Sequence, residues 1–211
     1  AANALRCALS TTPPNTAGYT FVAPKLVAGT DAALAEARRL LTEAGFEGGK
    51  GLPTVELLFN TSENHKLIAE AIQEMWRSKL GVDVKLVNQE NKVVLAARRA
   101  GDYHILRSNW IGDYIDPSTF LDIFRSDNGN NYTGWGNADY DAALFAAART
   151  SNQTERLALF QKAESILIDQ AVIAPVYYFT HTSLKKPSVQ GWGPTILDHH
   201  PYKHVWLEDK K

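Results

Sequence analysis

Thr54-Val55-Glu56-Leu57-Leu58-Phe59-Asn60-Thr61-Ser62 is the stretch that decides the fold. Val55, Leu57 and Phe59 alternate with Thr54, Glu56 and Leu58, the period of a half-buried strand. Ser62 then opens a helix whose Ile68, Ala71, Ile72, Met75 and Trp76 share a stripe as far as Gly81. Val82, Val84 and Leu86 form the next strand, a short helix through Val94 and Leu95 ends near Gly101, and 103–109 reads as a third strand. This alternation predicts an α/β layer, a mixed sheet with packed helices, in which ligand sites favour the loops that leave strand ends.

Upstream, a helix capped by Thr30 or Asp31 carries Leu34, Ala37, Leu41 and Ala44 on one face and stops at Gly45, where a left-handed C-cap fits. Residues 1–30 are rich in Thr, Pro and Gly without an apolar period, which predicts an extended, surface-hugging lead-in. Downstream, 137–149 (Tyr140, Leu144, Ala147) and 154–170 (Leu157, Phe160, Ala163, Leu167) have helical spacing, and 172–184 is strand-like. The tail, 185–211, differs in kind, with three prolines, Trp192, Tyr202, Trp206 and His199, His200 and His204.

Composition bounds the partners. The 211 residues are 45% hydrophobic and 21% charged, enough for a substantial core in one or two domains. Lys and Arg number 22 against 23 Asp and Glu, with no basic run longer than two residues, so no nucleic-acid partner is expected. Cys7 stands alone and can form neither an intramolecular disulfide nor a thiolate zinc cluster. No stretch reaches about 18 consecutive apolar residues, and 1–10 lacks the charged end and apolar middle of a secretory signal.

The chemistry gathers at Asn109-Trp110-Ile111-Gly112-Asp113-Tyr114-Ile115-Asp116-Pro117-Ser118-Thr119-Phe120. Gly112 and Pro117 restrict the backbone, two aromatics offer flat walls, and Asp113 or Asp116 supplies a negative charge, a combination suited to a small cationic ligand. A hydrolase using the two carboxylates as acid and base is the enzymatic alternative, but a three-residue spacing sets no separation across a substrate. Asp116 also suits a cap on the turn before Pro117 and a helix over 118–124, whereas Asp113 does not. His200 and His204 are spaced for a metal on a helix, yet Pro201 interrupts that helix and Asp198 is the one nearby carboxylate, so a solvated cluster is expected. The run 127–131 is unlike a calcium loop, because Ala138 occupies the position that requires Glu. Nucleophile-elbow, phosphate-loop and zinc-protease signatures are missing, so no cofactor, no metal and no enzymatic activity are expected.

The chain resembles the extracytoplasmic oligopeptide- and dipeptide-binding proteins that serve ABC importers, the family 5 solute-binding proteins. The likeness runs through Thr12-Pro13-Pro14 to Gly18, 35–46, Asn60-Thr61-Ser62 with His65-Lys66, 80–90, Trp110-x-x-Asp113-Tyr114-x-x-Pro117, 156–168, and Ala174-Pro175-Val176-Tyr177-Tyr178. It implies the C-terminal lobe of a periplasmic-binding-protein-like clamshell. In that frame 1–30 is a lead-in, 31–184 the α/β peptide-binding lobe, and 185–211 a returning tail that packs on an N-terminal lobe outside this chain. It implies a periplasmic or cell-surface receptor whose partners are a peptide ligand and the importer's membrane subunits. By position, Asp113 matches the holder of the peptide's α-ammonium, Arg107 and His65 match positions that meet its carboxylate, and Trp110 and Arg98 line pockets. Relatives that carry sugars, nickel or opines make a non-peptide solute the alternative ligand. Asn91 and Ile111 depart from the pattern, where the oligopeptide branch typically has Trp and often Cys. The first implies a wider, more polar pocket and the second a missing disulfide.

Overall fold

The computed structural model describes residues 6–22, 30–180, 183–193, 195, 197 and 199–208. Its elements are β1 (Arg6–Cys7), α1 (Asp31–Glu43), β2 (Val55–Asn60), α2 (Glu63–Leu80), β3 (Val84–Gln89), α3 (Asn91–Ala100), β4 (Ile105–Leu106), α4 (Ser118–Leu121), α5 (Ala138–Ala147), α6 (Gln153–Asp169), β5 (Tyr177–Tyr178), β6 (Val189–Gln190) and β7 (Trp206–Leu207). The chain divides into two compact units. One comprises Ala1–Val22, Ile111–Ser126 and Gly136–Lys211, and the other Ala23–Trp110 with Asp127–Trp135.

The second unit is the predicted strand and helix alternation. Its sheet has the order β3-β2-β4 and is parallel throughout, with Val55 opposite Val84, Leu57 opposite Leu86, and Leu57 also opposite Ile105. Leu57, Phe59, Val82 and Val84 are buried against Ala69, with Ile72, Trp76 and Leu80 of α2 and Leu41 of α1 packed around them. The helix stripe therefore runs through Ala69, Ile72, Trp76 and Leu80, while Met75, expected on it, is 53% exposed. Helix α2 also caps the sheet edge, its Gln73 donating from Nε2 to the Val84 carbonyl at 2.7 Å. The expected strand over 103–109 contracts to Ile105–Leu106, continued by one bond from the Arg107 N–H to the Leu58 carbonyl at 2.8 Å.

At the amino ends of the strands two glycines meet. Gly49 (φ +79) lies before β2 and Gly81 (φ +68) ends α2. A Cβ on Gly49 would sit 1.9 Å from the Gly81 carbonyl oxygen, and one on Gly81 would sit 2.2 Å from that of Gly48, so this contact requires glycine at both positions.

The first unit is built on the α5 and α6 hairpin. Tyr140, Leu144 and Ala147 of α5 and Phe160, Ala163 and Leu167 of α6 are buried with Pro117, Phe120 and Leu121, and the Tyr140 hydroxyl donates to the Leu121 carbonyl at 2.6 Å. Strand β1 pairs antiparallel with β5, and β6 with β7, so antiparallel pairing belongs to this unit; the strand expected over 172–184 reduces to Tyr177–Tyr178. In its described part, the lead-in expected to hug the surface also sends side chains inward. Thr12, Thr16 and Tyr19 are buried, with Tyr19 edge-on to Phe160.

Glu164 of α6 organises that burial. Its Oε1 accepts from the N–H groups of Thr11 and Thr12 at 2.8 and 2.9 Å, and its Oε2 from the Tyr19 hydroxyl at 2.7 Å. The carboxyl is completely buried; burial pushes its pKa above the usual carboxylate range, opposed by the bonds from Thr12, Tyr19 and Thr11. Glu164→Ala strands the buried donors of Thr12 and Tyr19 and the half-buried N–H of Thr11, and is expected to cost about 3 kcal/mol or more in urea unfolding. A carboxyl raised on folding stabilises most below its unfolded pKa. Relative to Glu164→Gln, the native chain should therefore lose stability as pH rises from about 4, and equal curves at all pH values would refute the assignment.

Candidate functional site

Parallel pairing puts the carboxyl ends of β2, β3 and β4 on one rim of the sheet, where Asn60 and Gln89 end their strands and Arg107 follows the third. His65, in the first turn of α2, leans back on this rim, its Nδ1 2.9 Å from the Asn60 side-chain oxygen. Burial and then the Arg107 charge lower the His65 pKa, so these two expected residues act on each other. Arg107 also donates from Nη1 to the Asn109 side-chain oxygen at 3.1 Å. Arg98, in the last turn of α3, lays its guanidinium 4.7 Å over the Tyr132 ring, with its Nε buried and unpartnered among the described residues. The Tyr132 carbonyl in turn accepts from the Tyr103 hydroxyl at 2.6 Å, fixing the segment that carries the ring. The Trp110 indole Nε1 is likewise buried without a partner among the described residues. Asn91 is exposed at the start of α3.

Trp110 closes the second unit, and the loop from Ile111 belongs to the first. There the backbone is fixed at several points. A Cβ on Gly112 would lie 2.8 Å from the Phe120 ring and 3.0 Å from the Thr119 methyl, so glycine permits the close approach of chain to α4. The Asp113 N–H donates to the buried Thr119 hydroxyl at 2.9 Å, while the Asp113 side chain is exposed and has no partner among the described residues.

Asp116 is spent on architecture. Its Oδ1 accepts from the Ser118 N–H and hydroxyl at 3.0 and 2.7 Å, the turn expected from the sequence. Both oxygens also accept from Arg156 of α6, at 2.7 and 2.9 Å, a bidentate pair. Arg156 is held in turn by the Ala147 carbonyl at 3.2 Å and by the Phe160 ring 4.7 Å below its guanidinium. Burial would raise the Asp116 carboxyl, but the bonds from Arg156 and Ser118 outweigh it and keep the pKa below the usual value. The partner Arg156 lies 40 positions away and Glu164 more than 140 from its donors, so no local sequence signal marks either. Asn60, by contrast, stands only five residues before His65, and a side-chain acceptor there is legible as a possible brace.

In the tail, Trp192 stacks on His200 at 4.4 Å, and Tyr202 and Trp206 are 82% and 58% exposed. No three His, Cys, Asp or Glu groups converge as a metal site among the described residues, and Asp198 lies outside them. Among the same residues no helix is long and apolar enough to cross a membrane.

The Asp116 pair has a testable pH dependence. With a folded pKa below the unfolded one, its contribution is full above about pH 4 and is lost as pH falls through the lower value. Arg156→Ala should cost about 1 to 3 kcal/mol and lower the exchange protection of the Asp113 amide at pH 7. Unchanged protection in the variant would count against this role.

A model of the bacterial extracellular solute-binding proteins, family 5 (middle region), matches residues 6–132. The periplasmic murein peptide-binding protein MppA of Escherichia coli (strain K12) is 41% identical over 182 residues, covering 86% of this chain and 34% of that protein. A solved structure of the E. coli murein tripeptide binding protein MppA superposes with a TM-score of 0.83 at 36% identity, over 97% of this chain and 40% of that one. The Haemophilus influenzae OppA complex with the peptide RPPGFSPFR gives a TM-score of 0.76 at 33% identity, over 89% of this chain and 37% of that one. The chain thus spans between 34% and 40% of the length of these relatives. With the family match covering most of its α/β rim and the loop beyond it, the chain belongs to the bacterial extracellular solute-binding proteins of family 5.

Proposed function

We propose that this chain is part of the substrate-binding component of an ABC-type peptide importer, acting outside the cytoplasm, and that Asp113 takes the free α-ammonium of the peptide. The observation that carries this reading is the exposed Asp113 carboxylate, unpartnered among the described residues, on a backbone fixed by Thr119, beside an Asp116 engaged by Arg156. A fixed anion without a partner among the described residues suits an ammonium, whose charge pairs with it, whereas a neutral sugar could offer only uncharged hydroxyls. Hydrolysis by the Asp113 and Asp116 pair loses support, because a carboxylate already in a bidentate ion pair is a poor proton carrier.

Arg107 supplies a cation toward the peptide's carboxyl end, His65 meets the ligand beside it, and Trp110 and Arg98 line side-chain pockets. The exposed Tyr202 and Trp206 of the tail suit contact with the remainder of a longer receptor, and the importer's membrane subunits would receive the loaded protein.

In the complete receptor, Asp113→Ala should weaken a free-amino peptide by about 10- to 150-fold, the equivalent of a charge-assisted bond, and N-acetylation of the peptide should weaken native binding similarly. Titration calorimetry with both peptides decides this; equal affinities for native and variant receptor would reject Asp113 as the anchor. This chain alone should bind the same peptide far more weakly than the complete receptor, and micromolar affinity of the isolated chain would contradict that.

A further inference from the structure

The sheet of the second unit is parallel throughout, and sheets of that kind are covered on both faces. Leu57, Phe59 and Val84 turn to α2. The alternate residues turn to the opposite face, where α3 lies, seated by its buried Val94. A groove of about 400 Å³ remains there between helix and strands, with Leu58 and Val87, paired neighbours on β2 and β3, as its floor. Its wall is Val93, Ala96, Ala97 and Ala100, spaced i, i+3, i+4 and i+7, the apolar stripe by which an amphipathic helix ordinarily meets a core. Here the stripe lines an open groove, and Val93 is 50% exposed.

We propose that this groove is a second ligand site, for a small arylalkyl ammonium whose ring lies on Leu58 and Val87 against the alanines of α3 and whose charge meets Asp102. It is separate from the site proposed for the peptide, because His65, Arg98, Arg107, Trp110 and Asp113 are not among the residues that line it.

Charge selects the occupant. Glu56, Asp102 and His104 gather where the groove reaches the amino ends of β2 and β4, and no Lys or Arg is among the described residues that line it. Lys85 donates to Glu56 at 2.7 Å and answers that carboxylate from outside the lining. The exposed Asp102 carboxylate has no partner among the described residues. His104 accepts the Glu56 N–H on its Nδ1 at 3.2 Å, a bond that a doubly protonated ring could not make, so the ring adds no positive charge while the bond holds. The groove is therefore apolar along its length and anionic at one end. An anion is repelled there, and an uncharged aromatic molecule fills the floor but leaves Asp102 unanswered. The volume is at the small end for a ligand pocket, which suits one ring with a short arm rather than a chain of residues.

Phenethylamine, 2-phenylethanol and phenylacetate share a ring and differ in charge, and methyl NMR of the complete receptor labelled at alanine tests the three without any peptide. Phenethylamine is expected to shift the Ala96, Ala97 and Ala100 methyls saturably at low millimolar concentration or below, roughly the affinity open to a ligand of its size. The alcohol should bind about threefold more weakly or worse, and phenylacetate should leave these methyls unmoved. Asp102→Asn should bring phenethylamine down to the affinity of the alcohol. Ala96→Leu, at an exposed position, fills the groove and should abolish the shifts at Ala97 and Ala100. Equal binding of phenylacetate, an affinity unmoved by Asp102→Asn, or shifts that survive Ala96→Leu would each overturn the proposal. So would unmoved alanine methyls that are also shielded from a soluble paramagnetic agent, the sign that another part of the receptor covers the groove. Failure of peptide binding would strike at the functional reading and leave this result standing.

Discussion

The bidentate pair between Arg156 and Asp116 is the contact on which the use of the 111–117 loop depends. A surface loop of this length, with one aromatic and two acids, has many conformations, and ordering it in the proposed binding step would consume much of the affinity it provides. Here the ordering is done in advance. Arg156 belongs to α6, is packed on Phe160 and bonded to α5, and so transmits the rigidity of the helical hairpin to the turn at Asp116. The Thr119 hydroxyl and the close seat of Gly112 on Phe120 extend the same stiffness to the Asp113 backbone.

Three carboxylates of one unit show how environment assigns a role to a single functional group. Glu164 is buried among three donors and fastens the lead-in. Asp116 is half-buried and paired with a cation, which makes it a structural anion. Asp113 is exposed and has no side-chain partner among the described residues, which leaves it open to the role proposed for it. The sequence already marks Asp116 as the turn residue before Pro117, and the packing adds the Arg156 partner that it could not show.

What was legible in the sequence was whatever repeats locally. The period of two in 54–59 and the helical period in 62–80 and 154–170 were read because each side chain's face is set by its own neighbours. Met75 was misplaced because a stripe wider than the contact surface leaves the choice of its centre to the sheet. The strand expected over 103–109 shortened because a strand exists only where its partner runs beside it, and β2 pairs with just Ile105 and Leu106. The lead-in looked like surface because Thr, Pro and Gly carry no period, whereas its burial is dictated by Glu164, distant in sequence. The residue types at 65, 98, 107, 110 and 113 were singled out through likeness to a family, and the contacts that orient two of them, from Tyr132 and Thr119, emerge only in three dimensions.

The interlocked glycines at the amino ends of the strands bear on how such a receptor can change. Gly49 and Gly81 tolerate no side chain, so the lower rim of the sheet is frozen in register by backbone against backbone. The upper rim, where Asn60, His65 and Arg107 stand, presents side chains and, among the described residues, no comparable pair of interlocked glycines. With the binding role proposed for this rim, substitutions there would alter what is recognised without disturbing how the strands align. A lineage can thus drift toward new nutrients while inheriting the same frame, and innovation is confined to the edge where it does least harm.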